Sequence, residues 1–224
     1  MKKILCIVAH PDDEALGPGG SLIKHNNRGD DVNIFIFSDG EGAKTLSKYK
    51  DPNRIQVARK WSKQTNSKIY KIANYPDQRL DSFPQLDIVK EIEIAIKKIR
   101  PNIVYIHNPS DINKDHQTLA DACLVALRPM KFLNTLPEIR AFETPSSTDQ
   151  APKLAKYSFN PNLYISVVDE WEAKIKALKL YHNELGDFPH PRSLKNLEAL
   201  AIKRGAESGL KMAEAFMIIK KIVL

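Results

Sequence analysis

Between Cys6 and Glu14 the chain passes from an apolar run into a histidine and three acids: Cys6-Ile7-Val8-Ala9-His10-Pro11-Asp12-Asp13-Glu14. Carboxylates and an imidazole this close together are costly to bury unless something positive partners them, and a cation does so. His10 and Asp13 stand three apart across a tight turn, near enough to share an ion. A catalytic zinc takes three protein ligands and keeps one position open for water. The third ligand must come from elsewhere, and His116, closing the polar stretch Ser110-Asp111-Ile112-Asn113-Lys114-Asp115-His116, is the best candidate. Asp12 adjoins Asp13 but should point to the other side, where a carboxylate can take the proton of a metal-activated water. Glu14 is the other candidate base, and reads better as an acid favoured at a helix N-terminus. Gly17, Gly19 and Gly20 follow an acidic cluster rather than a strand, so they are not a dinucleotide fingerprint. They let a helix start pack close to a sheet.

The elements that must position these residues are legible as an alternation. Apolar, β-branched runs at 3–9, 32–38, 68–73, 102–107, 139–143 and 162–167 read as strands. Helical patterns fall at 21–29, with Gly29 as a stop, at 52–65, with Pro52 in the first turn, and at 85–99 and 116–127. Residues 169–184 and 193–207 also read as helix, while 213–223 fits helix or strand. The order implies an α/β, Rossmann-like fold in one domain over 1–224: a mainly parallel sheet with helices on both faces. Ligands of such sheets bind beyond the carboxyl ends of the strands. Three of those ends are polar here: His10–Glu14, Ser38-Asp39-Gly40-Glu41-Gly42, and His107 running into 108–116. Residues 144–161 form the longest irregular stretch, of a length that is usually functional.

Composition excludes several classes. The 224 residues are 42 % hydrophobic and 27 % charged, an ordinary globular balance that supports a sizeable core. The formal charge of +7 comes from scattered lysines without interleaved aromatics, which argues against a nucleic-acid partner. Cys6 and Cys123 each lie in an apolar run and read as buried thiols; without a CxxC there is no thiolate zinc site. Met1-Lys2-Lys3 and the apolar run behind it are too short for a signal peptide, and no run of about 18 apolar residues offers a transmembrane span. The expected location is the cytoplasm.

Ala9-His10-Pro11-Asp12-Asp13-Glu14-Ala15-Leu16-Gly17-Pro18-Gly19-Gly20 resembles the signature of the PIG-L/LmbE-like family of metal-dependent N-deacetylases. The likeness extends along nearly the whole chain. Residues 37–42 resemble the family's second-strand loop, 75–81 its third-strand loop, 110–116 its late acidic-histidine motif, and 204–216 its C-terminal segment. The resemblance implies a Rossmann-like fold and zinc held by His10, Asp13 and His116, with Asp12 as general base. It implies removal of an acetyl group from an N-acetylglucosamine-type sugar, with the oxyanion resting on the metal and a nearby donor. Iron(II) or cobalt(II) suits the same donors. The chain departs from the family where many members carry a histidine and this sequence has Asn113, which can donate a hydrogen bond but cannot shuttle a proton. The general acid is then either Asp12 itself or one of His107, His182 and His190. Asp115 is expected in the catalytic group as the carboxylate that orients one of these histidines or a ligand.

Arg54 matches a family arginine near the sugar or its phosphate, against a plain reading as a solvated helix arginine. Asp81, Arg79 and Glu143 lie where strands end and can meet sugar hydroxyls. Asn113, and His190 with Arg192 in the proline-braced Phe188–Ser193 loop, are further expected substrate contacts. The Asn113 motif, with 142–147 and 188–193, resembles members from surface-polysaccharide and glycoconjugate pathways. That favours a nucleotide- or lipid-linked acetamido sugar, and the resemblance leaves open a homo-oligomer, since family members often assemble through late helices and loops. The alternatives are an amidase acting on a non-sugar or thiol-conjugate amide, and a non-catalytic nucleotide-sugar or metal-binding protein. A mere binder would have no need of Asp12.

Overall fold

A computed structural model describes residues 1–42, 54–129, 137–152, 154–155 and 158–223. Its strands are β1 (Lys3–Val8), β2 (Asp31–Ser38), β3 (Lys68–Tyr75), β4 (Ile103–His107), β5 (Glu138–Phe142), β6 (Leu163–Ser166) and β7 (Ala213–Lys220). The described helices are α1 (Asp13–Leu16), α2 (Gly19–Asn27), α3 (Arg54–Gln64), α4 (Gln85–Ile99), α5 (Lys114–Ala126), α6 (Trp171–Leu178) and α7 (Leu194–Ala206). The sheet order is β3-β2-β1-β4-β5-β7-β6. The pairs β3-β2, β2-β1, β1-β4 and β4-β5 are parallel; β7 runs antiparallel to both β5 and β6.

The strands read as continuous apolar runs because both faces are covered, as a parallel sheet requires. Leu5, Ile7 and Ala9 face one core with Phe35, Val104 and Ile106, under Ile88, Ile92 and Ile96 of α4 and Leu119 and Cys123 of α5. Ile4, Cys6 and Val8 face the other with Ile34, Ile36 and Tyr105, under Leu22 of α2, Trp61 of α3 and Leu178 of α6. Cys6 and Cys123 therefore sit in opposite cores, and both are free buried thiols.

Most of the expected elements form within a residue or two, and α4 has the expected ends. Gly29 lies just past α2 at φ +79°, the left-handed backbone that glycine adopts without strain. Pro52, expected in the first turn of α3, lies outside the described residues. The helical stretch expected over 169–184 is broken: α6 ends at Leu178, and a 3-10 segment, Lys179–Glu184, follows with a kink at Tyr181. Residues 213–223, open to either reading, form strand β7 over Ala213–Lys220, inserted between β5 and β6. No described helix is long and apolar enough to cross a membrane.

Two features position the site. From β1 the chain crosses to β2 on one side, while β4 pairs on the other, so the crevice of an open α/β sheet lies beyond the ends of β1 and β4. The glycine-rich turn is clasped from the C-terminal third of the chain. Glu214 of β7 accepts the Gly20 and Ser21 N–H groups at 2.7 and 2.8 Å, and Lys174 of α6 donates to Leu16 O, Gly17 O and Glu214.

Candidate metal centre

Beyond β1 the backbone turns sharply at Asp12, whose φ of 117° is rare for a residue with a side chain. Glu14 Oε2 accepts the Asp12 N–H at 3.1 Å, and Asp12 O accepts the N–H groups of Ala15 and Leu16, which opens α1. The turn brings Asp13 back to His10: Asp13 Oδ2 accepts the His10 N–H at 2.9 Å and lies 3.3 Å from His10 Nδ1. His116, in the first turn of α5, places Nε2 3.4 Å from the same oxygen. One donor atom from each of His10, Asp13 and His116 falls within 4.8 Å of the others, all three residues buried. Asp13 Oδ1 and both ring nitrogens of His116 are buried without a hydrogen-bond partner. These orphaned atoms, one imidazole and a carboxylate oxygen, with the His10 ring beside them, fit a divalent transition metal. The titration points the same way. Burial disfavours protonated His116, yet the carboxylates of Asp13 and Asp111 push its pKa up to about 9. His10 is likewise raised, against burial, by Asp115, Asp13 and Asp77. The cluster draws positive charge inward.

His10 and His116 are steadied from behind. His10 Nε2 lies 3.0 Å from Asp77 Oδ1 and 3.3 Å from Asp115 Oδ2. Asp115 also accepts the N–H of Gln78 at 2.9 Å and of Leu80 at 3.0 Å, so it fastens the 77–80 loop over His10. Asp111 Oδ2 lies 3.3 Å from His116 Nδ1, without the geometry of a hydrogen bond, and accepts the Thr148 hydroxyl at 2.9 Å. His107, at the end of β4, stacks on His116 with ring centroids 3.8 Å apart. Its Nε2 accepts the Ala9 N–H at 3.0 Å; burial and the neighbouring His116 push its pKa down to about 4.

Asp12 is enclosed differently. Arg54 Nη2 lies 3.1 Å, and Arg192 Nη1 3.0 Å, from the same oxygen, Asp12 Oδ2. Asp12 Oδ1 is buried and has no hydrogen-bond partner. Burial pushes the Asp12 carboxyl up, against the pull of the two guanidinium groups. Behind it, the Tyr181 hydroxyl donates to Glu14 Oε1, and burial pushes the Glu14 carboxyl up to about 8.

The remaining expected residues divide. Arg54 is no solvated helix arginine: it is buried, donating to Gly40 O and to Pro11 O at 2.7 Å besides meeting Asp12. Asn113 is the N-cap of α5; its Oδ1 accepts the N–H groups of Asp115 and His116 at 2.9 and 3.4 Å, leaving only Nδ2 to donate elsewhere. Asp81 is exposed in the 3-10 turn Leu80–Ser82, and Arg79 is exposed beside it; the carboxylate of this loop that turns inward is Asp77. His190 is exposed, its Nδ1 accepting the Arg192 N–H at 3.1 Å. His182 is exposed on a separate cleft with Gln56 and Lys179. Glu143 is paired with Arg204 through two hydrogen bonds, at 2.8 and 2.7 Å. Sequence reasoning passed over Asp77, Asp111, Glu184 and Tyr181. Asp77 and Asp111 stood inside motifs already singled out, and nothing local separated them from their neighbours.

The family described as PIG-L: GlcNAc-PI de-N-acetylase matches residues 5–127, more than half of the chain, and the chain belongs to that family. It is 25 % identical over 231 residues to diacetylchitobiose deacetylase of Thermococcus kodakarensis, an alignment covering 100 % of this chain and 85 % of that one. It is 30 % identical over 186 residues to the uncharacterized deacetylase YaiS of Escherichia coli, covering 80 % and 89 %. Among solved structures, the inhibitor complex of N,N'-diacetylchitobiose deacetylase from Pyrococcus horikoshii superposes with a TM-score of 0.77 at 21 % identity, covering 97 % of this chain and 84 % of that one. These likenesses fix the α/β fold and its family.

Proposed function

We propose that this chain is a zinc-dependent hydrolase that removes the N-acetyl group from an acetamido sugar. The observation that carries the reading is the buried cluster His10, Asp13 and His116, in which Asp13 Oδ1 and both His116 ring nitrogens have no hydrogen-bond partner, with Asp12 Oδ1 buried and unpartnered beside it. Deacetylases among the relatives, one of them named for diacetylchitobiose, support the substrate class. A divalent metal held by those three residues supplies a Lewis acid for the amide carbonyl and lowers the pKa of a water towards 7.

The chain's own part begins at Asp12. Its Oδ1 accepts a proton from the attacking water as the water oxygen bonds to the carbonyl carbon. The same proton returns to the sugar nitrogen as the C–N bond breaks, releasing the free amine and acetic acid, which gives up its own proton to solvent as acetate. Asp12 is preferred to the histidines considered as the acid because His107 packs behind His116 with Nε2 accepting the Ala9 N–H, His182 lies on another cleft, and His190 is exposed with Nδ1 accepting the Arg192 N–H. Asp77 and Asp115 hold the ring orientation of His10 by accepting at Nε2. The Nδ2 of Asn113 is the side-chain donor for the developing oxyanion. Asp81 and His190, each exposed and within two residues of a group that touches the cluster, are the sugar contacts.

The test is metal content together with acetate release, for wild type and His116→Ala, on N-acetylhexosamines including diacetylchitobiose and nucleotide-linked forms. We expect about one metal per chain, zinc supporting turnover, and loss of both in the variant. A folded wild type that takes up no metal, or a variant that keeps it, would overturn the ligand set. Metal binding without acetate release from any sugar would overturn the reaction.

A further inference from the structure

The two arginines on Asp12 come from distant parts of the chain. Arg54 opens α3, inside the 5–127 segment that matches the family. Arg192 lies far outside it, in the loop ahead of α7. Both meet one oxygen, Asp12 Oδ2, at 3.1 and 3.0 Å. Glu184, the last residue of the 3-10 segment, lies between them, its Oε1 3.4 Å from Arg54 Nε and its Oε2 3.6 Å from Arg192 Nη1. Asp12, Arg54, Glu184 and Arg192 thus form a closed ring of alternating charge with no net charge. Arg192 is braced from outside as well: its Nε donates to Ser146 Oγ at 2.9 Å and meets Pro145 O at 3.4 Å. The effect on the carboxylate is asymmetric. Oδ2 is held from two sides, and Oδ1 is left buried and unbonded.

We propose that Arg192 is a positioning residue for Asp12, fixing Oδ2 so that Oδ1 alone is presented to the reacting water. The inference rests on the deacetylase reading above. It reassigns Arg192, which the sequence placed among the substrate contacts. The geometry opposes that earlier role. The Arg192 side chain is 19 % exposed, whereas that of Asp12 is 1 % exposed. Releasing Asp12 to bind a sugar would leave a buried carboxylate with half its partners, a costly state. The planar guanidinium fork reaches Ser146 and Asp12 at once, which a lysine ammonium cannot do.

The test compares Arg192→Ala and Arg192→Lys, alone and combined with Asp12→Asn, in the metal-loaded enzyme. We expect Arg192→Ala to lower kcat on the order of 10²-fold, because a misplaced base costs about that much, with KM within about threefold. Guanidine in the buffer should restore part of the loss, and Arg192→Lys should not. In the Asp12→Asn background the Arg192→Ala change should cost nothing more. Should Arg192→Ala fail to fold, Ser146→Ala removes the brace instead and should lower kcat by a smaller factor, again without raising KM. A rise in KM with kcat held would make Arg192 a substrate contact and overturn the proposal, as would a loss of equal size in the Asp12→Asn background. The side-chain ¹⁵N signals of Arg192 give a readout free of turnover. Restricted guanidinium rotation in wild type, released in Asp12→Asn, is expected; free rotation in both would overturn the contact. If wild type deacetylates no sugar, the reaction fails on its own, and the ¹⁵N comparison still decides whether Arg192 holds Asp12.

Discussion

Asp77 and Asp115 flank the same nitrogen of His10, Asp77 the nearer at 3.0 Å, and Asp115 also accepts the N–H groups of Gln78 and Leu80. Asp77 is therefore the residue that sets the tautomer of His10 and leaves Nδ1 for a metal. Asp77→Asn should weaken metal affinity about 10–100-fold while the fold persists, a change read by metal titration; an unaltered affinity would remove Asp77 from the site. Glu14 gives a pH prediction. Burial moves its carboxyl from an ordinary 4.5 to about 8 in the folded chain, so the folded state holds a proton that the unfolded state has released. The associated stability is full below about 4.5 and is lost as pH rises through about 8. Glu14→Gln keeps an acceptor for the Asp12 N–H and cannot ionise. Wild type should therefore lose melting temperature relative to this variant across that range, and parallel curves would sink the argument.

Helix ends and close contacts carry the next layer. The cap at Asn113 serves α5 and therefore His116, whose N–H it accepts. Asn113→Ala should cost about 1 kcal/mol in denaturant unfolding, and should also lower turnover if Nδ2 steadies the oxyanion. A stability loss with turnover intact would leave Asn113 a cap and nothing more. The glycine-rich turn is held by shape. A Cβ on Gly20 would stand 2.8 Å from Val167 Cγ1 and 2.9 Å from Glu214 Oε1, so the cap that Glu214 gives α2 would have to shift. Gly20→Ala should cost roughly 1–3 kcal/mol. The broken helix over 169–184 has a counterpart in the site: the kinked 3-10 segment delivers Tyr181 to Glu14 and Glu184 to both arginines. Helical periodicity in the sequence cannot report such a break, because Glu14 and Arg54, which these residues meet, lie more than a hundred residues away.

Taken together, the molecule concentrates carboxylates around two histidines and offsets them with two arginines and a place for a cation. A metal held by His10, Asp13 and His116, as proposed, must displace the protons that the carboxylates keep on both imidazoles, so its affinity should rise with pH as His116 is discharged towards about 9. Calorimetry in two buffers of different ionisation heat should show proton release on binding; none would mean that His116 is not a ligand. Stripping the metal with a chelator should lower the melting temperature, since a ligand of the folded state stabilises it by mass action.

The alternation of apolar runs and helical patterns was enough to specify an α/β sheet covered on both faces, because burial on two sides leaves a continuous apolar signature. His10, Asp12, Asp13 and His116 were legible too, since a strand end filled with acids and histidines has few other physical uses. The antiparallel β7 was not, as its apolar residues suit either period, and pairing with β5 and β6 settles it. Nor could the neighbours of Asp12 and His10 be read. Arg192 reaches Asp12 from the far end of the chain, Glu184 reaches the two arginines that hold it, and Asp77 reaches His10 across a loop that offers Asp81 equally well. Residue type and spacing report what a side chain can do; which partner it meets depends on how distant segments pack, and that is fixed only when the chain closes on itself.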